Sequence, residues 1–306
     1  MDPAIIFFGL GVGFLVGMTG MGGGSLMTPL LVLVFGIKPT TAIGTDIFYA
    51  ANTKVVGAWR HLKLKTVNLG LVFWMAIGSV PSAILGVWVI DILKSHYGED
   101  KLDGIVFAII AASLLVVGVA TLVRSFFFSD QIQEREDFEL ERRHKIAATA
   151  IGATTGFVIG ISSAGSGTLI AIMLIAGFRL TPQRVVGTDV THAAVLLWAA
   201  AIAHIISGNV DFGLAGNILV GSIPGVIVGS QLSVRWPQGV LRVALGVVLV
   251  AAGVTILNKA NTSIVPYAVV VAALAIAGLF VAQFLLQRQA RRAEAASKSR
   301  PALAGR

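Results

Sequence analysis

The chain has 306 residues, of which 56% are hydrophobic and only 12% are charged, and its mean hydropathy is +0.87. Soluble domains carry about 25% charged residues, and the apolar runs here are continuous rather than alternating. The composition therefore excludes an ordinary soluble domain and a β-barrel. It predicts an all-α polytopic membrane protein.

The net charge and the cysteine content exclude further classes of partner and site. The net charge is +8, but the basic residues lie in short loops and in the C-terminal tail. This placement indicates a topology signal and anionic lipids as partners of the tail, and not nucleic acid. The chain contains no cysteine, which excludes disulfides and thiolate metal sites. We expect no metal and no cofactor.

Apolar segments follow one another along the chain. The first, residues 4–36, is interrupted by a Gly-rich break from Gly17 to Ser25, and neither half is long enough to span a bilayer comfortably. The predicted helices that complete the first unit cover residues 40–58, 67–90 and 104–127. A charged segment, Ser129 to Lys145, is predicted to be a short soluble helix.

The second unit has the same order, with a break from Gly160 to Thr168. Its predicted segments cover residues 146–161, 168–178, 183–206, 212–234 and 240–257, and a last helix covers 264–287. The chain is thus predicted to comprise a first membrane repeat (1–127), a charged cytoplasmic linker (128–145), a second membrane repeat (146–257), an additional transmembrane helix (258–287) and a basic cytoplasmic tail (288–306).

The two units align with each other in sequence. A shift of 143 positions places residues 14–86 on residues 157–229 without a gap. It matches Pro39 with Pro182, and Gly44-Thr45-Asp46 with Gly187-Thr188-Asp189. A shared glycine-rich composition alone would not keep a proline and an aspartate in one register. The pattern predicts an internal duplication.

The loops predict the orientation of the two repeats. Residues 60–65 contain three basic side chains and are expected in the cytoplasm, whereas the equivalent residues 207–211 contain no Lys or Arg and are expected outside. The repeats are therefore predicted to be inverted, which requires residues 4–36 and 146–178 to fold as re-entrant hairpins. The alternative is a parallel repeat in which each first segment crosses the membrane once.

Both breaks place glycines and hydroxyls at a depth where lipid cannot hydrogen-bond the backbone. A short helix begins after each break, and helix N-termini carry unpaired N–H groups and about half a positive charge. If the two breaks meet near the midplane, they form a site for a small oxyanion. Close packing is the alternative, and we favour it for isolated glycines such as Gly78 and Gly246. The predicted substrate-binding residues are Thr19, Gly20, Gly22, Gly23, Gly24, Ser25, Ser162, Ser163, Gly165, Ser166, Gly167 and Thr168.

A second group of polar residues lies on the helices that follow the breaks. Asp46 and Asp189 lie about two turns into these helices, where an acidic side chain is a functional candidate. They could carry protons, or they could clamp each hairpin to its neighbour by accepting hydrogen bonds from Thr45, Thr188 or hairpin N–H groups. Lys54 is expected to extend to the cytoplasmic surface as an anchor. The predicted coupling or gating residues are Asp46, Tyr49, Asn52, Asp189 and His192.

These residues carry a resemblance. The sequence Gly17-x-x-Gly20-x-Gly22-Gly23-Gly24 and the block Pro39…Gly44-Thr45-Asp46 with its repeat resemble the sulfite exporter TauE/SafE family, the four-toluene-sulfonate uptake permease class. The likeness covers about residues 5–257. It implies transport of a small sulfur-containing oxyanion or organosulfonate, such as sulfite or sulfoacetate, across the bacterial inner membrane.

The sequence thus predicts a secondary transporter, with export favoured and with alternating access between the repeats. The alternatives are a passive anion channel, proton-coupled uptake of a small organic anion, and a membrane enzyme or assembly factor for sulfur compounds. No HExxH, GxSxG or Walker motif is present, so we predict no enzymatic activity. A homodimer is left open as the oligomeric state.

Overall fold

A computed structural model of the chain describes residues 2–19, 24–127, 140–165, 167–178, 180–233 and 238–260. These residues form ten helices, and the all-α prediction is confirmed. The helices are α1 (Pro3–Thr19), α2 (Gly24–Val34), α3 (Pro39–Lys63), α4 (Leu69–His96), α5 (Glu99–Phe127), α6 (Arg142–Ser162), α7 (Thr168–Phe178), α8 (Pro182–Ile206), α9 (Phe212–Ser233) and α10 (Gln238–Lys259).

One predicted segment has a different boundary in the structure, and others lie outside the described residues. The predicted soluble helix Ser129 to Lys145 is wrong at its end, because residues from Arg142 onward form the first turn of α6. Residues 128–139, the predicted helix 264–287 and the basic tail lie outside the described residues. Five of the described helices are long and apolar enough to cross a membrane. The protein is a membrane protein, and large apolar side chains such as Phe73 and Trp88 face outward on its surface.

The helix starts follow local rules. Pro39 and Pro182 occupy the first turns of α3 and α8, where a missing N–H costs little. Asn68 caps α4 by accepting a hydrogen bond from the Leu71 amide over 3.1 Å, and Asp211 caps α9 from the Leu214 amide over 2.9 Å. Asn68 and Asp211 occupy equivalent positions in the two repeats, so the same device starts the equivalent helices.

Glycine contacts give the relative directions of the helices. Gly9, Gly13 and Gly17 of α1 contact residues 218, 222 and 226 of α9 in turn, so the two helices run parallel. In the same way α6 runs parallel to α4. In contrast, α3 and α8 are antiparallel, because Gly44 contacts Asn209 while Gly57 contacts Val190. α5 and α10 are also antiparallel. Two pairs of equivalent helices, α3 with α8 and α5 with α10, therefore point in opposite directions.

Each broken segment begins and ends at the same end of the bundle. The Asp2 amide donates to Asn217 near the start of α9, and α3, which follows α2, begins beside Asn209, also near the start of α9. In the second repeat, Leu140 lies against Gly70 and Gly187 lies against Thr66, both at the start of α4. The helix α6 alone is long and apolar enough to cross a membrane, but α6 and α7 together lead the chain back to that end.

Candidate functional site

The two breaks come together in the interior of the bundle. The α6 helix ends at Ser162, and Ser163 follows in the left-handed region at φ 59°. Gly165 has a φ of 104° and Gly167 one of 106°, which glycine adopts without strain. The Gly165 amide donates to Ser25 Oγ over 3.3 Å, and both residues are buried. The start of α2 and the turn before α7 therefore share one small volume.

Asp46 of α3 joins the two breaks. Its Oδ2 accepts hydrogen bonds from the Thr28 amide (3.2 Å), the Thr28 hydroxyl (2.6 Å) and the Ser163 hydroxyl (2.8 Å). Thr28 lies in α2 and Ser163 in the second break, and Asp46 is 0% exposed. The sequence allowed either the neighbouring threonine or the hairpin as the source of donors for this carboxyl, and the donors described come from the hairpins.

The hydroxyl groups of Thr45 and Thr188 do not bond to the neighbouring carboxyl groups of Asp46 and Asp189. Thr45 Oγ1 accepts from the Asp211 amide over 3.0 Å, and Thr188 Oγ1 accepts from the Asn68 amide over 3.0 Å. Each threonine therefore holds the first turn of a helix in the other repeat. The hydrogen bonds have the same length in both halves, and they tie the repeats to each other.

Asp189 has different surroundings from its equivalent Asp46. Its Oδ2 lies 3.9 Å from Lys54 Nζ, and both side chains are less than a tenth exposed. The position equivalent to Thr28 is Ala171, which has no hydroxyl. The prediction that Lys54 extends to the surface as an anchor is wrong, because α8 packs along α3 and covers it. The only sequence signal for a buried ion pair of Lys54 was its position as a charged residue inside an apolar helix.

Tyr49 and His192 also occupy equivalent positions, and each bonds to a serine of the other repeat. Tyr49 is hydrogen-bonded to Ser222, and His192 Nε2 lies 2.9 Å from Ser79 Oγ. All four residues are buried. The serines are themselves equivalent, so the matched Gly-Ser pairs in the alignment were the signal that could have identified them. Asn52 donates to the Phe48 carbonyl of its own helix over 2.8 Å and makes no described contact with the breaks.

The other predicted substrate-binding residues fall into two groups. Gly24 begins α2 and is buried, while the Ser162 hydroxyl donates to the Val158 carbonyl over 2.7 Å. Ser166 lies outside the described residues, as do Gly20, Gly22 and Gly23, and so do the side chains of Thr19 and Thr168.

Gly17 and Gly160, at the edges of the breaks, are packing positions. A Cβ there would lie under 3.0 Å from the Val226 and Ala83 carbonyl oxygens respectively.

The site is built from neutral donors around one carboxyl. Backbone amides of Thr28 and Gly165 and the hydroxyls of Thr28 and Ser163 are the donors described at the breaks, beside the N-termini of α2 and α7. Such donors suit an oxyanion. Among the residues that the structure describes, no group of three His, Asp or Glu side chains could hold a metal ion.

Comparison with known proteins identifies relatives over most of the chain. The family model described as "Sulfite exporter TauE/SafE" matches residues 5–256. The probable membrane transporter protein YjnA of Bacillus subtilis is 37% identical over 257 residues, which cover 84% of this chain and all of that protein. The probable membrane transporter protein YdhB of the same bacterium is 28% identical over 80% of this chain and 96% of its own length. A probable membrane transporter protein of Methanocaldococcus jannaschii is 25% identical over 83% of this chain and 95% of its own length. No solved structure matches the chain.

Proposed function

The chain belongs to the TauE/SafE sulfite exporter family and is a membrane transporter, and we propose that it carries a small sulfur-containing oxyanion or organosulfonate across the bacterial inner membrane. Sulfite and sulfoacetate are the substrates that the family name and the donor chemistry favour. Transport proceeds by alternating access around a site between the two Gly-rich breaks.

The observation that carries this proposal is the contact between the breaks. Gly165 bonds to Ser25, and Thr28 and Ser163 share one acceptor oxygen, although the residues of each pair are far apart in sequence. Two helix N-termini that meet in a buried volume attract a negative charge without a basic side chain. Neutral donors also release the ion more readily than a full charge pair would.

The antiparallel directions of equivalent helices support an inverted repeat. Such repeats allow two conformations of similar energy, each open to one side. Outward movement of an anion is favoured by an inside-negative potential, by about 2.3 kcal/mol per charge per 100 mV. Export can therefore proceed down the electrical gradient.

The test is flux and binding in proteoliposomes with sulfite, sulfoacetate, taurine and short carboxylates. Gly165→Val should abolish binding, because φ 104° is strained for any side chain and because the turn would move away from Ser25. The control is Gly246→Val on α10, a packing position away from the breaks, where an added Cβ meets the Leu122 side chain and, at 3.3 Å, the Gly118 carbonyl oxygen of α5.

Size-exclusion profiles of both variants establish that they fold. Saturable flux of a sulfur anion that is lost only in Gly165→Val supports the proposal. Equal loss of flux in both folded variants would show that the breaks have no special role, and unsaturable single-channel currents would indicate a channel.

A further inference from the structure

We propose that Asp46 binds a proton together with each substrate anion, because its ionised carboxylate competes with the anion for the same hydrogen-bond donors. The inference rests on the proposed function and deepens it by assigning the proton as coupling ion, so that a dianion and its proton together carry one net negative charge.

The competition follows from the donors that Asp46 uses. The Thr28 amide, the Thr28 hydroxyl and the Ser163 hydroxyl all point to its Oδ2 and lie within 3.2 Å of it. These donors belong to the two breaks, which are the elements proposed to hold the anion. An ionised Asp46 therefore occupies the site as an internal anion. Two negative charges a few ångströms apart in a buried volume repel each other strongly.

The second carboxyl oxygen shows where the proton binds. Asp46 Oδ1 is buried and has no hydrogen-bond partner in the part of the chain that the structure describes. A proton that binds there forms one O–H bond and neutralises the carboxylate. Thr28 and Ser163 are then held less strongly, and the new O–H group can itself donate to an oxygen of the anion. Both effects make proton and anion binding mutually favourable.

Asp189 provides the contrast within the same molecule. Lys54 lies 3.9 Å from it and balances its charge, and Ala171 stands where the first repeat has Thr28. The Lys54 ammonium thus already neutralises Asp189, whereas Asp46 has no basic side chain among its described hydrogen-bond partners. The proton site belongs to one repeat only.

The other titratable groups around Asp46 are few. Tyr49 lies one turn further along α3 and Lys54 lies beyond it, while α8 contributes Asp189, His192 and His204. The helices α2, α7 and α9 contain no ionisable side chain, the turn around Ser163 contains none in its described part, and α5 has its charged residues only near its ends. Among the contacts that the structure describes, Asp46 is the acidic group that bonds to both α2 and the second break.

The experiment measures sulfoacetate binding to the purified full chain by calorimetry between pH 5.5 and 8.5. Sulfoacetate remains a dianion over this range, so any pH dependence belongs to the protein. Repeating the titration in buffers of different ionisation enthalpy gives the protons taken up. At the alkaline end we expect about one proton per anion and an affinity that falls about tenfold per pH unit.

Asp46→Asn should bind sulfoacetate with an affinity that does not change with pH, since the amide imitates the neutral acid. The double variant Lys54→Met/Asp189→Asn removes both charges of the other pair and should keep the pH dependence of the parent. The proton count on the unsubstituted chain requires no variant, so a count of zero at every pH overturns the proposal even if Asp46→Asn does not fold.

The outcomes separate the two proposals. Sulfoacetate binding without proton uptake at any pH, or binding that requires Na⁺ instead, overturns the role of Asp46 and leaves the anion site standing. Absence of binding of sulfoacetate, methanesulfonate and sulfite at every pH overturns the proposed function, and the coupling with it.

Discussion

Lys54 and Asp189 place opposite charges 3.9 Å apart in the interior of the helix bundle. Removing two ions from water costs several kcal/mol each, so either residue alone is strongly unfavourable there. Lys54→Met should therefore lower the free energy of unfolding by about 3–5 kcal/mol, because the Asp189 carboxylate remains buried without the cation. Thermal unfolding in detergent measures the loss as a lower Tm.

The matched control is the double variant Lys54→Met/Asp189→Asn. A neutral pair of similar volume no longer leaves a buried charge, so most of the lost stability should return. A single Lys54→Met variant as stable as the parent chain would contradict the pairing. The cycle of four proteins isolates the pair from the packing of the lysine stem.

The sequence identified Asp46 and Asp189 because ionisable residues inside apolar helices are rare. It could not identify their partners. Ser163 is 117 positions from Asp46, and Lys54 meets Asp189 only because α3 packs against α8. Equivalent positions also suggested equivalent roles, but the substitution of Ala171 for Thr28 gives the two carboxyls different environments. Symmetry in sequence thus predicted the positions of both carboxyls but not the difference between their surroundings.

At the level of the helices, glycine rows hold α1 against α9 and α6 against α4. A Cβ at Gly13 would lie under 3.0 Å from the Ser222 backbone. Backbone atoms cannot move aside as the end of a side chain can, so Gly13→Ala should force the helices apart and cost at least about 1–3 kcal/mol. The expected result is a lower Tm and a lower yield of monodisperse protein.

Gly11 is the matched control on the same helix, two residues away. A Cβ there meets nothing within 4 Å. Gly11→Ala should be neutral or stabilising by up to about 1 kcal/mol, since alanine is the better helix former. If both substitutions lowered the Tm equally, the close contact of Gly13 with α9 would not be the cause of the loss.

The helices themselves were largely predictable, because their signals are local. The predicted segment 183–206 and the observed α8 differ by one residue, since Pro182 starts the helix and the apolar pattern continues to Ile206. The role of each glycine was less predictable. Gly17 and Gly160 belong to the breaks in sequence but pack against α9 and α4 in space. A glycine in a turn and a glycine in a contact look the same until the partner helix is known.

For the whole molecule, the pairing of α1 with α9 and of α6 with α4 constrains any transport motion. Each pair joins a helix of one repeat to a helix of the other through backbone contacts. If the repeats moved as separate units, they would break both rows of contacts at once. If the proposed alternating access takes place, each moving body must therefore contain helices from both repeats, and the movement is between these mixed bodies.

His204 and its equivalent His61 make different contacts at the two ends of the bundle. His204, near the end of α8, is 0% exposed, and its Nε2 lies 3.0 Å from the Gly160 carbonyl oxygen of α6. Its Nδ1 lies 3.3 Å from Asn209, which also bonds to Lys94. The equivalent residue His61 bonds only within its own loop, to Thr66, among the contacts described. In the proposed transport cycle, the His204 contacts would hold closed the end of the bundle that is predicted to face outside.

His204→Ala should weaken that closed end. A lost hydrogen bond is worth about 0.5–1.5 kcal/mol, and about 1.4 kcal/mol changes a population ratio tenfold, so the conformation open to the outside should become about two- to tenfold more populated.

Because the chain contains no cysteine, Ser25→Cys provides a single reporter at the breaks. Its reaction with a membrane-impermeant thiol reagent, added from the outside, should accelerate by the same factor in His204→Ala. His61→Ala is the equivalent change at the other end and should not accelerate it. Equal acceleration by both substitutions, or by neither, would mean that the His204 contacts do not hold the outer end closed.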